Sequence, residues 1–222
     1  MYKNKSIEIG NSTNSSTLIF LHGFGEEPLY YSRLSREITR FIPNMKIILP
    51  KARINTMSKN NTVKNKSWFD LTEFPITKNY YNNGLYIDYS IDLINKIIDK
   101  EIENGIPENK IFIGGFSQGG AMALVSALEC KNINLGGIII ISGWIFKNQS
   151  LNGKLNSNIP IFIAHGRKDD IVFFENAIEI KSCLNKNNFN NITFKNYVNY
   201  GHKFPTGVWI NNLIKWLNKF IT

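Results

Sequence analysis

Cysteine is nearly absent from this chain: of 222 residues only Cys130 and Cys183 are cysteines, and they lie far apart. That excludes a disulfide-stapled scaffold and points to reduced, packed thiols. Histidine is scarce too, with three in the chain, and no Cys/His spacing of metal-ligand type occurs, so neither a metal nor a cofactor is expected. Long apolar runs are missing. None approaches the roughly 20 residues of a membrane span. The opening Met1-Tyr-Lys-Asn-Lys-Ser6 has no apolar core of signal-peptide type, and a cytoplasmic protein is the expectation. Repeats, biased tracts and linkers are absent as well. Residues 1–222 therefore read as a single domain able to bury a large core. Acidic residues are outnumbered, 17 against 26 Lys+Arg, for a formal charge of +9. The lysines are scattered, and they are enriched together with Asn and Ile as an AT-rich coding bias would produce. No stretch interleaves clustered Lys/Arg with aromatics. Nucleic acid is not an expected partner, and the charge allows at most weak contact with an anionic membrane surface.

What the chain does contain is a concentration of small residues around one serine. Ile111 to Ile113 read as the end of a buried strand. Gly115-Phe-Ser117-Gln-Gly119 follows, and then a small-residue helix through Ala121, Ala123, Leu124 and Ala127. A G-x-S-x-G between strand and helix is the layout of a nucleophile elbow. The serine must stand on a sharp, strained turn, and glycines on either side leave room where a Cβ would meet backbone.

The remaining elements alternate. Lys5 to Ile9 reads as an edge strand and Thr17 to Leu21 as a short apolar strand leading into His22-Gly-Phe-Gly25. Pro28 opens a helix to about Phe41, with Leu34, Ile38 and Phe41 on one face. Met45 to Leu49 is the next strand, stopped by Pro50. From Lys51 to about Gly84 no periodicity is clear, and loops this long are usually functional or mobile. Within it, Trp68 and Phe69 read either as a local hydrophobic anchor or as a wall of the binding site. Tyr86 to Asn104 is an amphipathic helix with a stripe of Ile87, Ile91, Ile94, Ile98 and Ile102. Leu135 to Ser142 is apolar on both faces, as a central parallel strand requires. Ile159 to Ala164 is the next strand, Phe173 to Asn187 a helix, Ile192 to Val198 a strand, and Gly207 to Phe220 a final helix with Leu213, Leu217 and Phe220 inward. Such alternation predicts an α/β fold, a mostly parallel sheet covered on both faces. The span from Ile141 to Ile159 is too short for a separate cap domain.

A serine nucleophile needs a base, and the base an orienting carboxylate, in the chain order Ser, acid, His on such a sheet. His22 and His165 each precede a glycine at a strand's end. Only His202 lies beyond all the strands, where an imidazole can reach back over the sheet. After Ser117 the only aspartates are Asp169 and Asp170, both at the carboxyl end of a strand, and their sequence position does not choose between them. The oxyanion is expected to be held by the N–H groups of Gln118 and Phe24.

On these residues the chain resembles the acyl-protein thioesterase/carboxylesterase group of α/β-hydrolases. Leu21-His-Gly-Phe-Gly25 is similar to that family's LHGLG loop, and Ser67-Trp-Phe-Asp70 to its SWFD. Gly114-Gly-Phe-Ser-Gln-Gly-Gly-Ala-Met122 is similar to its GGFSQGGAM, Ile141-Ser-Gly-Trp144 to its LSGY, and His165-Gly-Arg-Lys-Asp169 with Val172 to its HGDxDxxV. The resemblance implies that Asp169 is the triad acid. It also implies a cytoplasmic enzyme acting on S-acylated proteins, lysophospholipids or small esters. With no cap domain the site is expected to be open on one side, with Trp68 and Phe69 lining an acyl groove. Arg167 and Glu26-Glu-Pro28 depart from the family's usual residues, as do the segment from Pro50 to Ser67 and Lys203 to Gly207. The expected mechanism is acyl transfer to Ser117 with His202 as base and Asp169 as its partner, then hydrolysis. A broad small-ester carboxylesterase and a non-catalytic acyl-chain binding protein are the rival readings.

Overall fold

The central strands of the sheet are apolar on both faces, so each buries one set of side chains upward and the other downward. In β2 (Ser16–Leu21) Leu18 and Phe20 join one core and Ile19 and Leu21 the other. The same division runs through β6 (Ile111–Phe116), β7 (Gly137–Ile141) and β8 (Ile161–Gly166). With β1 (Ile7–Ile9), β3 (Met45–Leu49) and β9 (Ile192–Tyr197) they form a seven-stranded sheet of order β1-β3-β2-β6-β7-β8-β9. All neighbours are parallel except the edge pair β1 and β3. The computed structural model describes residues 6–11, 14–58, 63–130, 134–151, 155–203 and 206–221. Lys5, the expected start of the first strand, lies outside them, as do Phe204 and Pro205 beyond the candidate histidine.

Helices α1 (Ser32–Phe41) and α5 (Val208–Ile221) cover one face of the sheet. Helices α2 (Ile87–Glu103), α3 (Gln118–Glu129) and α4 (Glu175–Lys186) cover the other. This is the α/β architecture expected from the alternation of strands and helices. Among the described residues no helix is long and apolar enough to cross a membrane.

Three local expectations are corrected. Pro28 opens a 3₁₀ turn, Pro28–Tyr31, before α1 begins. Phe41 is 59% exposed, and Ile42 takes the inward place. At about 100° per residue, the buried Leu34, Ser35, Ile38 and Ile42 define a stripe centred toward Ser35, and Phe41 falls on its far edge. The segment after Pro50 is not structureless either, for β4 (Ile54–Thr56) and β5 (Lys64–Lys66) pair as an antiparallel hairpin. Glu101, inside the apolar stripe of α2, is buried because Lys46 and Thr17 meet it, each at 2.6 Å. That ion pair ties α2 to the sheet.

Candidate active site

β6 ends at Phe116 and α3 begins at Gln118, so a single residue makes the turn. Ser117 has φ 54° and ψ −122°, a strained conformation for a residue with a Cβ. It is held there by its own N–H, which donates to the Ile141 carbonyl at 2.9 Å, and by its carbonyl, which accepts from Gly120 and Ala121 N–H at 2.9 and 3.1 Å. The crowding explains the glycines. A Cβ on Gly115 would lie 2.4 Å from the Gly119 carbonyl, and one on Gly119 would lie 2.2 Å from the Leu21 oxygen. The amino end of α3 points at the serine, where its dipole favours negative charge.

The carboxyl ends of β8 and β9 deliver the two partners. Ser117 Oγ–H donates to His202 Nε2 at 2.9 Å, and His202 Nδ1–H donates to Asp169 Oδ2 at 2.8 Å. The Phe116 ring lies 4.9 Å from the His202 ring and backs it. Asp169 is buried and Asp170 exposed. Asp169 Oδ1 accepts from Ile171 and Val172 N–H at 3.1 and 2.8 Å. Burial alone would push its carboxyl up. The hydrogen bonds from His165 and His202, the charge of His202 and the Val172 N–H outweigh that and hold it well below the usual carboxylate range. Of the two aspartates that sequence position could not separate, the structure brings only Asp169 to the histidine.

On the opposite side of Ser117, the loop after β2 is fixed by its neighbours. Gly23 N–H donates to Glu26 Oε2 at 2.8 Å, and the Tyr31 hydroxyl donates to the same oxygen. Gly25 N–H donates to the Lys66 carbonyl of β5 at 2.9 Å. His22 is locked at both nitrogens: Nδ1–H donates to the Gly23 carbonyl at 2.7 Å, and Nε2 accepts from Ala52 N–H at 3.0 Å. Burial pushes its pKa down to about 4, so the ring stays neutral. Of the departures from the family pattern, Glu26 thus belongs to this loop. Arg167 turns away to β9, its Nε–H donating to Asn196 Oδ1 at 2.8 Å.

Trp68 and Phe69 are both fully buried and present no surface to a ligand, so the structure gives them the anchor role rather than that of a groove wall. The physical reason is the polar frame around them. Trp68 N–H donates to Gln118 Oε1 at 3.1 Å, and its indole N–H donates to the His22 carbonyl at 2.8 Å. Gln118 Nε2 donates to Ser67 Oγ at 3.0 Å and to the Phe69 carbonyl at 2.8 Å. Phe69 packs edge-on against Trp144 and Phe146. Asp70 closes the segment by accepting from Ser58 N–H at 2.9 Å and Asn83 Nδ2 at 2.6 Å. The side chain of Gln118, which sequence reasoning used only for its backbone N–H, therefore ties the start of α3 to the segment Ser67–Phe69. The available signal was an amide at the head of a helix that is otherwise mostly small and apolar.

Comparison with known proteins shows what this chain is similar to. Residues 2–221 match the phospholipase/carboxylesterase family. Acyl-protein thioesterase 1 of Cryptococcus neoformans is 32% identical over 165 residues, which cover 72% of this chain and 68% of that protein. Acyl-protein thioesterase 1 of Yarrowia lipolytica is 29% identical, covering 95% of this chain and 94% of the relative. The crystal structure of Arabidopsis thaliana SOBER1 superposes with a TM-score of 0.83 at 26% identity, over 93% of this chain and 99% of that one. Zea mays acyl-protein thioesterase 2 shares the fold, with a TM-score of 0.81 at 23% identity over 99% of this chain and 100% of its own. With a family match over nearly its whole length and a shared α/β-hydrolase fold, the chain belongs to the phospholipase/carboxylesterase family and is an esterase/thioesterase.

Proposed function

We propose that the chain cleaves thioester and ester bonds of fatty-acyl substrates, S-acylated proteins above all, through an acyl-enzyme on Ser117. The observation that carries this reading is the unbroken chain of hydrogen bonds from Ser117 through His202 to Asp169. His202 Nε2 takes the serine proton as Oγ attacks the carbonyl carbon, and returns it to the departing thiolate or alkoxide. Water then attacks the acyl carbon as His202 removes its proton, and His202 hands that proton to Ser117 Oγ as the acid leaves. Asp169 keeps the Nδ1–H tautomer in place and stabilises the imidazolium. The oxyanion is assigned to the N–H groups of Gln118 and Phe24. Support for Phe24 comes from its neighbours, since the N–H groups of Gly23 and Gly25 are already committed to Glu26 and Lys66. Trp68 and Phe69 brace both donors from below.

The preference for thioesters follows from leaving-group chemistry. A thiol departs as a stable anion, whereas an amine must be protonated as it leaves and has to be held rigidly under His202. The acyl-protein thioesterase relatives favour a protein substrate over a small-ester one. The test is kcat/KM on a matched pair, an S-acylated peptide and its amide-linked isostere with the same fatty chain. Comparable rates on both would refute the thioesterase reading. Short-chain esters hydrolysed well while the S-acylated peptide is ignored would favour the small-ester carboxylesterase, and failure of a fluorophosphonate to label Ser117 would favour a non-catalytic binder.

A further inference from the structure

Asp169 is touched by two imidazoles, and only one of them belongs to the relay just described. His165, the penultimate residue of β8, is wholly buried. Its Nε2 lies 2.8 Å from the Val172 carbonyl and 3.3 Å from Asp169 Oδ2, the oxygen that also receives His202 Nδ1–H. Both neighbours of Nε2 are acceptors, so Nε2 carries the proton. Nδ1 is buried with no hydrogen-bond partner among the described residues. An imidazole buried with one nitrogen unmatched is a poor choice for packing alone, since a buried polar group without a partner costs free energy that Phe or Leu would not. What the ring supplies is its Nε2–H, which donates to the Val172 carbonyl and leaves the positive edge of the ring 3.3 Å from Asp169 Oδ2. We propose that His165 is a positioning residue for the triad acid: its Nε2–H, anchored on the Val172 carbonyl, presents positive charge to Asp169 Oδ2, steering that carboxylate and drawing off part of its charge.

This inference rests on the reading of Ser117, His202 and Asp169 as the reacting set. The groups that face the cluster are few. Asp169 comes from the loop after β8, His202 from the loop after β9 and Ser117 from the elbow. Phe174, at the start of α4, meets the His165 ring edge at 6.0 Å and carries the Arg167 guanidinium 5.5 Å over its ring, which separates that cation from His165. Lys168, Asp170 and Lys203 flank the acid and base in the chain and are exposed to solvent.

Removing the donor concentrates the carboxylate's charge on its remaining partner, His202. The imidazolium is then held more tightly, and a base that must be neutral is lost at higher pH. The experiment is the pH profile of kcat/KM on p-nitrophenyl octanoate for the unaltered enzyme, His165→Leu and His165→Gln, whose amide can place a donor where Nε2 sits. His165→Leu is expected to lose about ten-fold, the worth of one ordinary hydrogen bond, and to shift the acidic limb upward, with His165→Gln restoring both. A limb that stays in place in His165→Leu, whether the rate falls or not, reduces His165 to a structural role and overturns the proposal. Ser117→Ala, run alongside, separates the two layers. Activity surviving there would overturn the catalytic reading and this inference together, while activity lost there with an unmoved limb in His165→Leu overturns the inference alone. Should His165→Leu not fold, ¹⁵N-histidine NMR of the unaltered enzyme decides. His165 should read as the Nε2–H tautomer at the pH of maximal activity, and an Nδ1–H tautomer there would overturn the proposal.

Discussion

The two sides of Ser117 are built by different means. On one side His202 and Asp169 sit on the turns that end β9 and β8, so the sheet itself sets their spacing. On the other side the loop after β2 has no such frame. Its place is fixed by a knot of His22, Trp68, Gln118, Ala52 and Glu26, of which Ala52 and Trp68 come from the segment after Pro50. Side chains that react can be delivered by regular elements. Backbone N–H groups that must point outward cannot bond within an element, so other segments have to hold them. The first arrangement loses chemistry when altered, and the second loses geometry.

The largest effect belongs to the sheet-built side. Ser117→Ala should lower turnover on the order of a million-fold while leaving thermal unfolding nearly unchanged, since it removes one oxygen. Residual activity above a few per cent in pure protein would remove Ser117 from the role. Asp169→Asn should follow, at roughly ten thousand-fold, because an amide cannot orient the His202 tautomer. Asp170→Asn, at the exposed neighbour, should be almost silent, and equal losses at the two positions would erase the distinction drawn from the structure. Activity should also fall on acidification, because a histidine base must be neutral to take the serine proton. A rate profile with no acidic limb would rule out His202.

The knotted side should break more gently and with a different signature. Gln118→Leu leaves Trp68 N–H and the Phe69 carbonyl without their partner. The expected loss is on the order of ten- to a hundred-fold in kcat, below the 10²–10³ of deleting an oxyanion donor, together with about 2 kcal/mol of stability. A variant that loses activity at full stability would mean that Gln118 does not brace the site. His22 adds a pH dependence of its own. Its pKa is ordinarily 6.5 and falls to about 4 on burial. Between those values the unfolded chain binds a proton that the folded chain does not, so stability falls with pH, by about 2 kcal/mol from pH 7 to 5. Urea unfolding of the protein and of His22→Gln at both pH values measures it, and the variant should lose less on acidification. The smallest effect is expected from Glu27→Gln. This partly exposed residue pairs with Lys66 and Lys51 at 2.5 and 3.3 Å beside the oxyanion loop, and such pairs contribute under about 1 kcal/mol.

The same contrast explains what could be read from the chain before its structure was known. The elbow, the strands around it and the position of His202 follow from local signals: apolar runs, glycine spacing and order along the chain. Asp169 and Asp170 could not be told apart by position, because what separates them is which carboxylate meets the Ile171 and Val172 N–H groups, a matter of one turn's geometry. Trp68 and Phe69 announce an aromatic anchor, yet only the indole's hydrogen bond to the His22 carbonyl shows what they anchor. Glu101 was invisible for a related reason. Its partners Lys46 and Thr17 come from distant strands, and nothing in an isoleucine stripe reports a buried ion pair. Phe41 and Ile42 exchanged places because a stripe inferred from apolar residues alone ignores Ser35, whose hydroxyl is satisfied by the Tyr31 carbonyl at 2.9 Å.

The missing side chains at Gly115 and Gly119 set a limit on how this protein can be altered. Each occupies space that opposing backbone fills to within 2.4 Å of where a methyl group would stand, so relief would have to come from moving β2 and α3 apart rather than from turning a side chain. A library that varies Phe24, Phe74 or Ile171 leaves the elbow intact, because those side chains border solvent. A library that varies Gly115 or Gly119 searches only for ways to take the elbow apart.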